Sequence, residues 1–234
     1  MLRELGDRLR VTEAGYELAR LAWNRGDWQT TLRLARQAWR RARSIGEQEA
    51  PETRRQCSRI MDLMGLAHWR LGRPRRALWY LRRALACRPA EDLSGRGHLH
   101  HHLAVALASL NDAQAALEHA AQARALFAET GDRTGLAHLW ADLGDVYRLQ
   151  GDLAGAREAL QQSYALWREL EDPAGLADYH RHLGLLEAQA GSPEAARQQL
   201  EHACSLWERI GDPHEIARCR ALLAGLDRGL SPAP

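Results

Sequence analysis

Apolar residues recur along most of this chain at the three- and four-residue spacing that places them on one face of a helix. One such stripe consists of Leu136, Leu139, Trp140, Leu143, Val146 and Tyr147. A second stripe consists of Ala156, Leu160, Tyr164 and Trp167. Between the stripes stand Gly151 and Asp152, residue types that favour the end of one helix and the beginning of the next. The pattern therefore predicts two amphipathic helices joined by a tight turn.

This two-helix pattern repeats every 40 residues, so that Leu143-Gly144 returns as Leu183-Gly184. Inner turns are expected at Gly26-Asp27, Gly72-Arg73, Asn111-Asp112, Gly151-Asp152 and Gly191-Ser192. We place five helix pairs at about 13–45, 52–89, 94–130, 133–171 and 174–211, and a single helix near 213–228. Because neither helix of a pair can bury its stripe alone, the pairs must stack on one another.

The repeats predict one continuous domain, because stacked repeats share a single core. Its expected span is 13–230. Residues 1–12 are interpreted as an N-terminal cap or frayed segment, and residues 231–234 as a disordered tail.

The fourth pair resembles the tetratricopeptide repeat family, whose pattern falls on Trp140, Leu143, Gly144, Tyr147, Gly151, Ala156 and Leu160. The resemblance implies an all-α fold, a right-handed α-solenoid of five helix pairs with a C-terminal capping helix. The 40-residue unit is similar to the long repeats of kinesin light chains and of the sensor regions of bacterial regulators. The function implied is that of a protein- or peptide-binding adaptor or scaffold, not an enzyme.

In this family the first helix of each pair lines a concave groove, so the register predicts which side chains would meet a partner. These are Tyr16, Arg20, Trp23, Asn24, Arg59, Asp62, Leu66, Trp69, Arg70, His98, His101, His138, Asp145, Arg148 and Arg181. Arginine can bind carboxylates through two hydrogen bonds, and tryptophan offers a rigid apolar contact. The expected partner is therefore a protein or peptide that is acidic and carries an apolar anchor.

Charge is distributed unevenly along the chain. All 32 basic residues are arginine, a usage that, with much alanine, leucine and glycine, indicates a GC-rich bacterial genome. Residues 1–100 hold 21 arginines against 11 acidic residues, and the remainder holds 11 against 19. This asymmetry leaves open an alternative function, a scaffold that self-assembles when the basic front of one molecule meets the acidic back of another.

Two further kinds of binding are weighed and given less weight. The arginines Arg33, Arg36, Arg40, Arg43, Arg75, Arg76, Arg82 and Arg83 fall on second helices and could contact nucleic acid, but such stripes are usually solvated faces. His98, His102 and His138 could meet one zinc or nickel ion, although hydrogen-bonded or solvated histidines are the more common case. We therefore expect neither a nucleic-acid partner nor a required metal or cofactor.

Catalytic and membrane functions have no support in the sequence. There is no phosphate-binding glycine loop and no G-x-S-x-G motif, and the four cysteines show no C-x-x-C spacing. No stretch approaches the roughly 18 apolar residues of a membrane helix, and the first residues lack the apolar core of a signal peptide. We therefore expect a cytoplasmic protein that does not contact a membrane.

Overall fold

The computed structural model describes residues 2–44 and 51–228. Within these residues the chain forms eleven helices and no strand, so the expected all-helical fold is confirmed. The helices are α1 Leu2–Asn24, α2 Trp28–Ser44, α3 Pro51–Arg70, α4 Pro74–Cys87, α5 Leu93–Ala108, α6 Ala113–Thr130, α7 Arg133–Leu149, α8 Leu153–Glu169, α9 Pro173–Gln189, α10 Pro193–Ile210 and α11 Pro213–Asp227.

The helix boundaries lie close to those predicted from the repeat. Each expected inner turn falls between two helices, and α11 is the predicted single helix at the end. Residues 2–12 are part of α1, which begins at Leu2. The predicted disordered tail at 231–234 lies outside the described residues. The single continuous domain over 13–230 stays a prediction.

Several of the turns follow from two residue types at fixed places. Gly151 lies in the fourth inner turn and has a φ of 82°, a left-handed conformation that glycine adopts without steric cost. Asp152 then begins α8, and its carboxylate accepts a hydrogen bond from the backbone N–H of Gly155 at 2.9 Å. Such a cap satisfies one of the N–H groups that a helix leaves unpaired. The same cap recurs with Asp92, Asp132, Asp172 and Asp212.

The chain divides into two compact units, residues 1–126 (unit 1) and 127–234 (unit 2). In unit 1 the paired helices α1 and α2, and α3 and α4, pack against each other, and α3 also contacts α1 and α5. In unit 2, α7 packs on α8 and α9 on α10, while α7 also contacts α9. The odd-numbered helices therefore lie side by side within each unit and form its inner row.

A glycine of the inner helix lies directly against a leucine of the outer helix in several pairs. A Cβ atom at Gly144 would approach Leu160 Cγ to 2.9 Å, closer than real Cβ contacts. Gly65 with Leu81 and Gly184 with Leu200 show the same arrangement. The absent side chain thus makes room for the leucine, which is almost completely buried in each case.

The first and third pairs use alanine at both of these places. Ala19 and Ala35 take the two positions in the first pair, and Ala104 and Ala120 take them in the third, all of them buried. The added methyl group on the inner helix therefore coincides with a smaller side chain on the outer helix. The leucine side chain, which would overlap the added methyl group, is thereby absent, so the two helices can approach each other without a clash.

A buried and a half-buried histidine form a direct contact between α5 and α6. His100 Nδ1 lies 2.9 Å from His119 Nδ1, which requires one ring to donate and the other to accept. Burial lowers the pKa of His100 to about 4, and the charges of His119 and Arg96 act in the same direction. At the equivalent place in unit 2, His180 Nδ1 is 2.7 Å from Oε1 of Gln199.

No helix within the described residues combines the length and the apolar content that crossing a membrane requires.

Replacing Gly144 with alanine should lower the free energy of unfolding by about 1–3 kcal/mol, because the new methyl group overlaps Leu160. In a Leu160→Ala background the same replacement meets no leucine, and the better helix propensity of alanine should stabilise by about 0.5–1 kcal/mol. Urea denaturation of this double-mutant cycle measures the coupling. Gly225→Ala is the matched control, since an added Cβ there contacts nothing within 4 Å. Additive effects would contradict the packing described here.

The variant His119→Gln should lose less stability in acid than the wild type. The pKa of His100 is lower in the folded state than in the unfolded chain, so unfolding takes up a proton and stability falls as the pH drops from about 6.5 towards 4. Glutamine removes the second charge and supplies an acceptor, as Gln199 does for His180. Melting temperatures at about pH 7 and pH 4.5 measure the difference, and Gln199→His is the reciprocal control. Equal acid losses in all three proteins would contradict this account.

Candidate protein-binding face

Every residue predicted to line the binding groove lies on an odd-numbered helix. Those on α1, α3 and α5 belong to unit 1, and those on α7 and α9 belong to unit 2. In unit 1 these are Tyr16, Arg20, Trp23, Asn24, Arg59, Asp62, Leu66, Trp69, Arg70, His98 and His101. In unit 2 they are His138, Asp145, Arg148 and Arg181.

Three tryptophan rings lie near the guanidinium of Arg70 at the end of α3. Its Cζ lies 5.0 Å from the ring centre of Trp69, 5.6 Å from that of Trp28 and 5.8 Å from that of Trp23. These distances are within the range of cation–π attraction, so each ring can stabilise the guanidinium charge. We call Trp23, Trp28, Trp69 and Arg70 the tryptophan–arginine cluster.

The turn between α1 and α2 brings two of these tryptophans together. Gly26, with a φ of 72°, reverses the chain, and Asp27 accepts a hydrogen bond from the N–H of Thr30 at 2.9 Å to begin α2. Trp28 therefore returns beside Trp23, and their ring centres are 4.6 Å apart. A local turn thus builds one half of the cluster.

Trp69 supplies the other half and is fixed by contacts of its own. Its indole Nε1 donates to Oγ of Ser109, the residue that follows α5, at 2.8 Å, and its ring packs partly against the core of unit 1. Trp23 likewise packs partly against that core. Both rings are half-buried, so each has one side in the core and another that a partner can contact.

Arginines further along α1 and α3 are engaged with carboxylates. Arg59 Nη1 lies 2.9 Å from Glu13 Oε1, and its Cζ is 4.3 Å from the ring centre of Tyr16. Burial raises the pKa of Tyr16, and Arg59 opposes this shift. Arg20 pairs with Glu17 at 3.2 Å. The charges of Arg20 and Arg59 are therefore compensated by α1 itself.

Aspartate and histidine alternate at 40-residue steps along the inner helices. The positions are Asp62, His102, Asp142 and His182. In unit 1, His102 Nδ1 lies 2.7 Å from Asp62 Oδ1, which joins α5 to α3. No group of three or more His, Cys, Asp or Glu side chains in the described part of the chain is placed to hold a metal ion. The contact observed for His102 is thus with a carboxylate of the neighbouring repeat.

Buried charged side chains join α7 and α9 in unit 2. Arg148 Nε lies 3.0 Å from Asp145 Oδ1, and Arg181 Nη2 lies 2.9 Å from Asp178 Oδ1. His182 Nδ1 lies 2.9 Å from Asp145 Oδ2, which connects the two helices. Burial by itself would raise the pKa of Asp145, but His182 and the two arginines outweigh it and lower that pKa. For Asp178, too, the nearby positive charges outweigh burial and lower the pKa.

The structure therefore divides the predicted residues into two groups. Arg148 and Arg181 are each only 5 % exposed and His101 only 6 %, so they do not present their side chains to solvent. The two arginines can be buried because each guanidinium pairs with an aspartate one turn earlier on its own helix. The half-buried Trp23, Trp69 and Arg70, by contrast, meet at one place on unit 1.

Sequence reasoning missed Trp28, the fourth member of the cluster. It begins an outer helix, and the register assigned only inner-helix residues to the binding face. A signal was nevertheless available, because a short Gly-Asp turn between Trp23 and Trp28 returns the chain and places the two rings side by side.

Comparison with known proteins agrees with this repeat architecture. Residues 96–169 match the family model of the tetratricopeptide repeat. No curated protein matches the chain at a significant level.

Solved structures share the fold at low sequence identity. BtubC (BKLC) from P. vanneervenii is 20% identical, with a TM-score of 0.62 over 89% of this chain and 91% of that one. A putative kinesin light chain repeat protein from Podospora anserina is 19% identical, with a TM-score of 0.61 over 87% and 97%. A Rap protein complexed with competence and sporulation factor is 16% identical, with a TM-score of 0.67 over 95% of this chain and 65% of that protein.

At these identities the likeness concerns the fold alone, and this chain spans about two thirds of the Rap protein's length. The resemblance of this chain to the tetratricopeptide repeat family is thus confirmed, by the match over residues 96–169 and by the helical-repeat fold of its solved relatives.

Proposed function

We propose that this chain is a non-catalytic adaptor that binds a segment of another protein on the inner face of unit 1. The observation that carries the proposal is the tryptophan–arginine cluster, in which Arg70 lies within 6 Å of the ring centres of Trp23, Trp28 and Trp69. Tryptophan and arginine are the residues most enriched among those that dominate binding energy in protein interfaces. Both side chains provide a large contact area and lose little conformational freedom when they bind a partner.

The cluster favours a partner that carries a carboxylate beside an apolar side chain. A guanidinium beside indole rings can donate two parallel hydrogen bonds to a carboxylate. The rings next to it offer apolar area to the neighbouring side chain of the partner. Arg70 is the predicted groove arginine of unit 1 that lies beside three indole rings, and it therefore fits this role best.

The fold supports the same proposal. Helical repeats of this type are typically non-catalytic and serve protein interaction. One relative in fold was solved as a Rap protein complexed with competence and sporulation factor, so an array of this kind can hold a second molecule. By extension we propose that this chain is the sensor part of a bacterial regulatory pathway.

The variant Arg70→Gln tests the proposal, with a phage-displayed library of random peptides as the probe. The wild-type chain should enrich peptides that carry an acidic residue beside an aromatic or aliphatic one. Their affinity for the variant should fall by about tenfold or more, because a charge-assisted hydrogen bond contributes about 1.5–3 kcal/mol. Isothermal calorimetry with the enriched peptides measures the loss.

The matched control is Arg168→Gln, since Arg168 also stacks on an aromatic ring, 5.9 Å from the centre of Tyr164, but lies in unit 2. It should leave peptide affinity unchanged. Melting temperatures of both variants establish that they remain folded. Enriched peptides that bind a folded Arg70→Gln protein as tightly as the wild type would show that the cluster is not the binding site.

A further inference from the structure

The outer helices α2 and α4 of unit 1 carry many arginines and no acidic residue. On α2, Arg33, Arg36, Arg40 and Arg43 follow one another at three- and four-residue steps and are all exposed. On α4, Arg75, Arg76, Arg82 and Arg83 are exposed as well. In unit 2 the outer helices α8 and α10 carry acidic and basic residues together. The basic surface is therefore a feature of unit 1 and not of the repeat. We call it the α2–α4 arginine face.

None of these arginines is paired with a carboxylate of the described chain. Arg43 lies over Trp39 at 4.9 Å and Arg83 over Trp79 at 4.7 Å, and these are contacts with aromatic rings. On α8 of unit 2, by contrast, Arg157 Nη1 lies 2.8 Å from Glu187 Oε1. Like charges three or four residues apart on a helix repel each other and destabilise it. The arginine face thus carries an electrostatic cost that the fold does not offset.

The two helices act as one positive surface. Burial lowers the pKa of His68 on α3 to about 4, and the charges of Arg36 on α2, Arg73 and Arg76 on α4 lower it further. Positive charges at both outer helices therefore lower the pKa of the same histidine. Trp79, 49% exposed, adds a large aromatic ring to the same face.

We propose that the α2–α4 arginine face binds nucleic acid through its phosphates. Phosphate binding needs closely spaced positive charges and no preformed pocket, and aromatic side chains beside arginines add stacking with bases. Only Trp79 among the large apolar residues of these helices is well exposed, which is too little for the apolar face that membrane insertion requires. The same scarcity disfavours a protein interface, whose centre is apolar.

A second copy of this chain fits the arginine face less well. Its acidic half would have to supply the carboxylates, yet several of these are already paired within unit 2. Arg157 engages Glu187, Arg220 engages Glu208 and Arg197 engages Asp227. Nucleic acid, in contrast, carries its charge on every phosphate.

Fluorescence anisotropy with short labelled oligonucleotides, single-stranded and duplex, tests the proposal on the full chain. The wild type should bind at low salt, with an affinity that falls steeply as salt is raised. The variants R33Q/R36Q/R40Q/R43Q and R75Q/R76Q/R82Q/R83Q should each bind about tenfold or more weakly. The slope of log affinity against log salt should also become shallower, since fewer counterions are released.

The matched control R124Q/R168Q/R209Q/R228Q removes the same charge from exposed positions outside the arginine face. It should bind as the wild type does, and circular dichroism should show all variants folded. Equal weakening in the control would reduce the effect to net charge and overturn the proposal. Absence of oligonucleotide binding at low salt would overturn it too, and binding to phosphatidylserine vesicles or polyglutamate instead would assign the face to a membrane or an acidic protein.

Discussion

The junction between successive helix pairs in unit 2 depends on an aromatic ring that lies on a glycine backbone. A Cβ atom at Gly175 would come within 2.1 Å of the Trp167 ring, and one at Gly135 within 2.7 Å of Phe127. Both rings are almost fully buried. The Trp167 N–H has no hydrogen-bond acceptor among the described residues, which costs about 1–3 kcal/mol. Burying 150–250 Å² of such a side chain contributes roughly 4–6 kcal/mol, so packing outweighs that cost.

Unit 1 shows how the same junction is built without an aromatic ring. Cys87 stands where Phe127 and Trp167 stand in later repeats, and the next residue, Arg88, takes over the contact. Its guanidinium would lie 2.9 Å from a Cβ at Gly95, and it pairs with the helix-capping Asp92 at 3.1 Å. A buried guanidinium is stable only when it is paired, and here the cap supplies the partner. In this repeat Asp92 therefore both caps α5 and pairs with the arginine at the junction.

Charge is used differently in the two units. In unit 2, Arg148 and Arg181 are buried against aspartates one turn away on the same helix, and His182 with Asp145 and Arg148 with Gln189 join α7 to α9. In unit 1 the inner arginines Arg20 and Arg59 pair with glutamates of α1, while the arginines of the α2–α4 arginine face have no such partner in the described chain. Net charge per segment, which is all that composition reveals, does not distinguish these cases. The distinction matters because a compensated charge contributes to folding, whereas an uncompensated one is available to a ligand.

The sequence predicted the helices and turns because local rules decide them. A left-handed glycine followed by a capping aspartate, as at Gly151 and Asp152, marks a boundary whatever surrounds it. It also predicted that Trp23, Trp69 and Arg70 share a face, because the register of an inner helix is set by its apolar stripe. It did not predict which polar side chains turn inwards, because that depends on a partner in the neighbouring repeat. Periodicity reports only which face of a helix is apolar. Arg148 turns inwards because it donates a hydrogen bond to Gln189 on α9, and that contact is seen only in the three-dimensional structure.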